Sequence, residues 1–172
     1  MRALIAGLGN VFHGDDGFGV EVTARLLAAD RPAWPDGVTV RDFGIRGVHL
    51  AYELLDGYDL VVIADAVSRG GEPGTLYVIE HQRRPDDAPP AMVDAHDMAP
   101  DEVLALVPAL GGTLGRVVVV GCEPELIGPT MGLSEEVGRS VERAARLIVD
   151  IVRDASAGAV APADGTRIGG SA

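Results

Sequence analysis

Short unbroken apolar runs alternate along this chain with stretches whose apolar residues recur every three or four positions. Ala3 to Ala6, Val38 to Val40, Leu60 to Ala64, Thr75 to Ile79 and Val117 to Val120 are of the first kind and read as strands. Leu60 to Ala64 (LVVIA) is the strongest of them, because apolar residues fill it without alternation, as in a parallel strand covered on both faces. Helical spacing appears in Phe18, Val22 and Leu26, predicting a helix from Gly17 to about Ala29. It recurs in Val48, Ala51, Leu54 and Leu55, and again between Glu102 and Leu110. The longest helix is predicted from Ser134 to Val152, with Val137, Val141, Ala145, Ile148 and Val152 on one stripe and Ser134 at its start. Gly7 to Asp16 and Asp42 to Gly47 are glycine-bearing loops or turns, and the Pro- and charge-rich Gln82 to Pro90 reads as an exposed loop. This alternation predicts a single α/β domain over residues 1–154, a mostly parallel sheet with helices on both faces. Residues 155–172 carry no such pattern and read as a flexible tail.

Charge and composition narrow the class. The chain of 172 residues has 14 Lys+Arg against 26 Asp+Glu, a net charge of −12. Phosphate binding needs clustered cations, so nucleic acid is not an expected partner. No segment is long and apolar enough to span a membrane, and the N-terminus enters a strand pattern at once, so the expected location is the cytoplasm. The single cysteine, Cys122, excludes an internal disulfide and a thiolate metal cluster built by this chain alone. Beside a strand it reads as a small buried hydrophobe rather than a nucleophile.

In a parallel sheet flanked by helices, ligands bind beyond the C-terminal ends of the strands. The first strand leads into Gly7-Leu8-Gly9-Asn10-Val11-Phe12-His13-Gly14-Asp15-Asp16-Gly17. A dinucleotide fingerprint fails there: Phe12 replaces the third glycine, and Asp15 and Asp16 set carboxylates where a pyrophosphate needs amide donors. One of the two acids can cap the following helix while the other faces the cleft, and counting does not say which. Asp65 follows Leu60 to Ala64 directly, where an acid is costly to desolvate unless paired, hydrogen-bonded or metal-bound. Asp42 ends the second strand and reads as a turn-closing side chain. His96 lies in a loop ahead of the third helix; His13, His49 and His81 have no second ligand type near them in sequence, though His13 sits in the glycine loop. Two carboxylates and an imidazole converging at strand ends would form an oxygen-rich site for a divalent metal, with positions open for substrate or water.

These residues resemble the nickel-iron hydrogenase maturation endopeptidases. The likeness rests on Gly7-x-Gly9-Asn10 with the acidic pair before Gly17, on Asp42-x-Gly44-x-x-Gly47, and on Ile63-Ala64-Asp65-Ala66 followed by Pro73-Gly74. It continues through His96 to Gly121-Cys122-Glu123-Pro124 and Gly132-Leu133-Ser134, in order, from Met1 to about Val152. The resemblance implies a three-layer α/β/α fold and a metal site of Asp16, Asp65 and His96. The family's first ligand is Glu or Asp, and Asp16 is the shorter arm. It further implies an endopeptidase that removes the C-terminal extension of a hydrogenase large-subunit precursor after nickel insertion. The nickel is supplied by that precursor as the recognition element, and zinc or cadmium can take its place in vitro. Asp16 or Asp42 is then the expected proton acceptor in catalysis. The alternative is a non-catalytic nickel-sensing or metallochaperone module that binds the same precursor.

Overall fold

The computed structural model of the protein describes residues 1–28, 33–81 and 99–158. Five strands, β1 (Ala3–Leu8), β2 (Val38–Gly44), β3 (Leu60–Ala66), β4 (Leu76–Glu80) and β5 (Arg116–Cys122), form one sheet in the order β2-β1-β3-β5-β4. All neighbours are parallel except β4, which pairs antiparallel with β5 at the edge. Helices α1 (Phe18–Leu27), α2 (Gly47–Leu54), α3 (Pro100–Ala109) and α4 (Glu135–Gly158) cover it. The mostly parallel sheet with helices on both faces that the alternation predicts, and the three-layer α/β/α fold that the resemblance implies, are thus the observed ones.

The pleat divides the core into two halves. Ala3, Ile5, Val62, Ala64, Val118, Val120 and Cys122 pack under α1 and α4 with Phe18, Val22, Ile148 and Val152. Leu4, Ala6, Val61, Ile63, Val117 and Val119 pack on the other face with Leu50, Leu54, Val103 and Val107 of α2 and α3. Every residue of β1 is buried, as are Leu60 to Asp65 of β3, which explains why their sequences run apolar without a break. α1 sits unusually close to the sheet. A Cβ on Gly19 would collide with the carbonyl oxygens of Leu8 and Ala64, and one on Gly7 with that of Gly19. The start of α1 is therefore seated directly on the C-terminal ends of β1 and β3.

Boundaries moved in a consistent direction. β1, β2, β3 and β5 each extend past their apolar runs into glycine or polar residues, so Asp42 and Asp65 lie inside strands rather than after them. α4 continues beyond Val152 to Gly158. The expected loop at Gln82 to Pro90, the His96 segment and residues 159–172 of the expected tail lie outside the described residues.

Candidate active site at the strand ends

The loop after β1 is shaped by its glycines. Gly9 has φ of 124°, and a Cβ there would collide with the carbonyl oxygen of Asp16, so the chain folds back on itself between these residues. A short 3-10 turn, Asp15–Gly17, then leads into α1. Neither acid caps a helix: Gly14 and Gly17 occupy the cap positions, without side-chain cap bonds. The capping expectation is corrected, because the tight turn points both carboxylates elsewhere. Successive residues on a 3-10 turn point about 120° apart, and the two acids accordingly go different ways.

Asp15 is fully buried. Its Oδ2 accepts the Glu125 N–H at 2.8 Å, the Leu126 N–H at 2.9 Å and the Ser134 hydroxyl at 3.0 Å, while Oδ1 accepts the Ser134 N–H at 2.6 Å. Burial is the largest single influence on its acidity and pushes the pKa up. The bonds from Leu126, Ser134 and Glu125 together outweigh it and hold the carboxyl below its usual 3.8. Ser134, expected to open the last helix, does stand just before α4, but its hydroxyl is turned to Asp15. Backbone bonds reinforce the junction: Gly14 N–H to Thr130 O at 2.8 Å, Asp15 N–H to Leu126 O at 2.9 Å, and a bridge between Gly14 and Ile127. This union of the β1–α1 loop with residues 123–134 had no signal in sequence beyond the acidic pair itself.

Asp16 is half-buried, and its Oδ2 accepts the Asn10 N–H at 2.7 Å. The amide a pyrophosphate would need at this loop is engaged by a carboxylate, in line with the rejected nucleotide reading. The 3-10 turn packs against β3, whose end carries Asp65. Asp65 is 8% exposed, and its Oδ1 accepts the N–H of Ala66 at 2.9 Å. Asp16 and Asp65 are thus oxygen donors brought to the same edge of the sheet from two chain segments.

Asp42 is set apart from them. It pairs with Gly7 of β1, which in turn pairs with Ala64, so β1 separates it from β3 by two strand spacings, about 10 Å. It shares the pleat face of Gly7 and Ala64, whereas Asp65 shares that of Ile63. Its side chain is exposed and closes a turn, as expected from sequence, by accepting the Gly44 N–H at 2.7 Å. Asp42 is reachable by a substrate but stands off from the Asp65 side.

Among the described residues no group of three or more His, Cys, Asp or Glu side chains could hold a metal ion. The expected third ligand, His96, lies outside the described residues. His13 joins its loop through its backbone, its N–H bonded to Asn10 O; His49 is exposed on α2; and His81 lies 3.6 Å from Asp101.

Glu123, which in sequence stands out only within Gly121-Cys122-Glu123-Pro124, is a second structural acid at this edge. It is 6% exposed and accepts the Arg69 N–H at 2.8 Å, the Tyr77 hydroxyl at 2.7 Å and the Gly70 N–H at 3.2 Å. Those bonds, Arg69's first and Tyr77's next, hold its carboxyl below 4.5. They tether the segment leaving β3 just after Asp65. Cys122 is fully buried, and burial, assisted by the charge of Asp15, raises its thiol pKa to about 11, so it is no nucleophile at neutral pH.

The two loops joined at Gly14 and Asp15 expose large apolar side chains: Phe12 at 65%, Leu126 at 56%, Ile127 at 47% and Met131 at 74%. They project from a backbone fixed by the bonds to Asp15 and Gly14.

Known proteins share this architecture and sequence. The pattern of the HycI family, hydrogenase maturation protease, matches residues 21–151. A putative hydrogenase maturation protease of Methanocaldococcus jannaschii is 34% identical over 157 residues, covering 87% of this chain and 96% of that protein. The hydrogenase expression/formation protein HupD of Rhizobium leguminosarum bv. viciae is 32% identical over 72% of this chain, which spans only 59% of that relative. The hydrogenase maturating endopeptidase HybD of Escherichia coli superimposes with a TM-score of 0.73 at 26% identity, over 90% of this chain and 94% of that one. By sequence and by fold, this chain belongs to the hydrogenase maturation protease family.

Proposed function

We propose that this protein is an endopeptidase that removes the C-terminal extension of a hydrogenase large-subunit precursor carrying nickel. The observation that carries the reading is the packing of the 3-10 turn that bears Asp16 against β3, whose end bears Asp65, in a chain whose one thiol is buried and held protonated. The name endopeptidase borne by the Escherichia coli relative supports a cutting role. In this reading Asp16, Asp65 and His96 bind the substrate's nickel and so test whether the precursor has been loaded. Two carboxylate oxygens and one imidazole suit a borderline divalent ion, leaving coordination positions for the precursor's own ligands. Zinc or cadmium fits the same donors. Nickel contributes Lewis acidity toward the scissile carbonyl or a bound water. Asp16 or Asp42 accepts the proton; Asp42, exposed and off the Asp65 side, can do so without being a ligand. Exposed Phe12, Leu126, Ile127 and Met131, on the two loops joined at Asp15, suit a polypeptide substrate better than a small polar one.

The test is the mass of nickel-loaded precursor before and after incubation with the protein. Loss of a C-terminal fragment is expected. A precursor that binds but keeps its full mass would leave the non-catalytic nickel-sensing module as the correct reading. Asp42→Asn identifies the proton acceptor, because Asp42 is no ligand whereas Asp16→Asn weakens the nickel site as well. Loss of that group should slow cutting roughly a hundredfold or more, as for other general bases.

A further inference from the structure

We propose that Asp15 is the positioning residue of this site, fixing the Asp16 carboxylate by fastening the β1–α1 loop to residues 123–134. The inference rests on the role given above to Asp16. The two acids are consecutive on one 3-10 turn, so the peptide that orients one side chain orients the other. Asp15 is anchored from three backbone N–H groups and a hydroxyl, all contributed by Glu125, Leu126 and Ser134. Bonds from N–H groups to a buried carboxylate are among the stronger ones in proteins, and leaving such a charge unpaired is costly. The turn is held on its other side too. Gly14 donates to Thr130, and the Asp16 carbonyl rests against Gly9, which lacks the side chain that would push it away. The backbone that carries Asp16 can therefore not shift without either breaking the Asp15 cluster or moving Gly9. The bond Asp16 accepts from the Asn10 N–H, at 2.7 Å, reports where its carboxylate stands.

Asp15→Asn separates positioning from bulk stability. It keeps the size of the side chain but turns an NH2 group toward N–H donors, whichever way the amide is flipped. The reporter is the Asn10 amide, followed by 15N–1H NMR and hydrogen exchange on the full chain. Asp16→Asn serves as the reference for loss of the charged acceptor. In Asp15→Asn the Asn10 resonance should move in the direction seen for Asp16→Asn, and its exchange should accelerate roughly tenfold. Precursor cutting should fall in kcat by roughly a hundredfold, the order expected from an ångström-scale misplacement of a reacting group. If Asn10 is unchanged while Leu126 and Ser134 alone lose protection, Asp15 merely ties down a loop and the proposal is wrong. If Asp15→Asn does not fold, Ser134→Ala takes its place. It deletes one donor and keeps all three backbone donors, and should shift Asn10 the same way by less; no shift overturns the proposal. Should Asp16→Asn cut precursor at the parent rate, the role given to Asp16 fails, yet the Asn10 reporter still decides whether Asp15 positions it.

Discussion

Each acid near the strand ends has a different environment, and the environment rather than the residue type sets its task. Asp15 and Glu123 are buried and saturated by donors from the chain; Asp16 and Asp65 stand at the edge, and Asp42 is in solvent. Glu123 gives a measurable consequence. Its folded pKa lies below 4.5, so at neutral pH it contributes stability that is fully present above the unfolded value and is lost as pH falls through the folded one. Glu123→Gln, which cannot titrate, should be less stable than the parent at pH 7. In urea melts the gap between them should close as the pH drops below 4.5; a gap constant down to pH 2.5 would contradict the assignment. The sequence revealed that Asp15 and Asp16 were a pair but not how they divide the work. That division depends on side-chain directions around a 3-10 turn and on donors more than a hundred positions away at Glu125, Leu126 and Ser134. Asp65 was easier to read, because an acid closing a run as apolar as Leu60 to Ala64 needs a reason to be there.

Elements were legible where their periodicity was long. All five strands and four helices of the described residues coincide with predicted ones, because buried parallel strands and amphipathic helices leave strong patterns. Strand ends were less legible: pairing carries β2, β3 and β5 on through Asp42, Asp65 and Gly121, where hydrophobicity has already stopped. The antiparallel placing of β4 had no sequence signal either, since direction at a sheet edge follows from chain connection rather than from composition. The close seating of α1 makes a prediction at this scale. Gly19→Ala puts a methyl group against the carbonyls of Leu8 and Ala64, with no flexible side chain to yield. Overpacking of this kind costs about 1–3 kcal/mol, and here it lifts the 3-10 turn from the end of β3. Denaturant melts should show that loss, accompanied by slower precursor cutting at temperatures where the variant is folded. Gly138→Ala, on α4 with open space around it, should be neutral or slightly stabilising.

For the molecule as a whole, the sheet brings carboxylates of β3 and the β1–α1 loop to its C-terminal edge, while two loops fastened at Asp15 expose apolar side chains. No helix among the described residues is long and apolar enough to cross a membrane. The whole-chain charge of −12 suits attraction of a cationic metal centre. The central claim is that the strand-end ligands, not the thiol, read the nickel of the precursor. The direct measurement is mass-spectrometric timing of C-terminal trimming, on nickel-loaded and nickel-free precursor, by the parent and by Asp65→Asn, His96→Ala, the double variant and Cys122→Ser. The parent and Cys122→Ser should cut only loaded precursor, and each ligand variant should be slower by roughly tenfold or more. The double variant should be little worse than the worse single one, as expected of two residues proposed to serve one ion. Unimpaired cutting by Asp65→Asn and His96→Ala, with Cys122→Ser inactive, would contradict the account and make the thiol the centre of the chemistry.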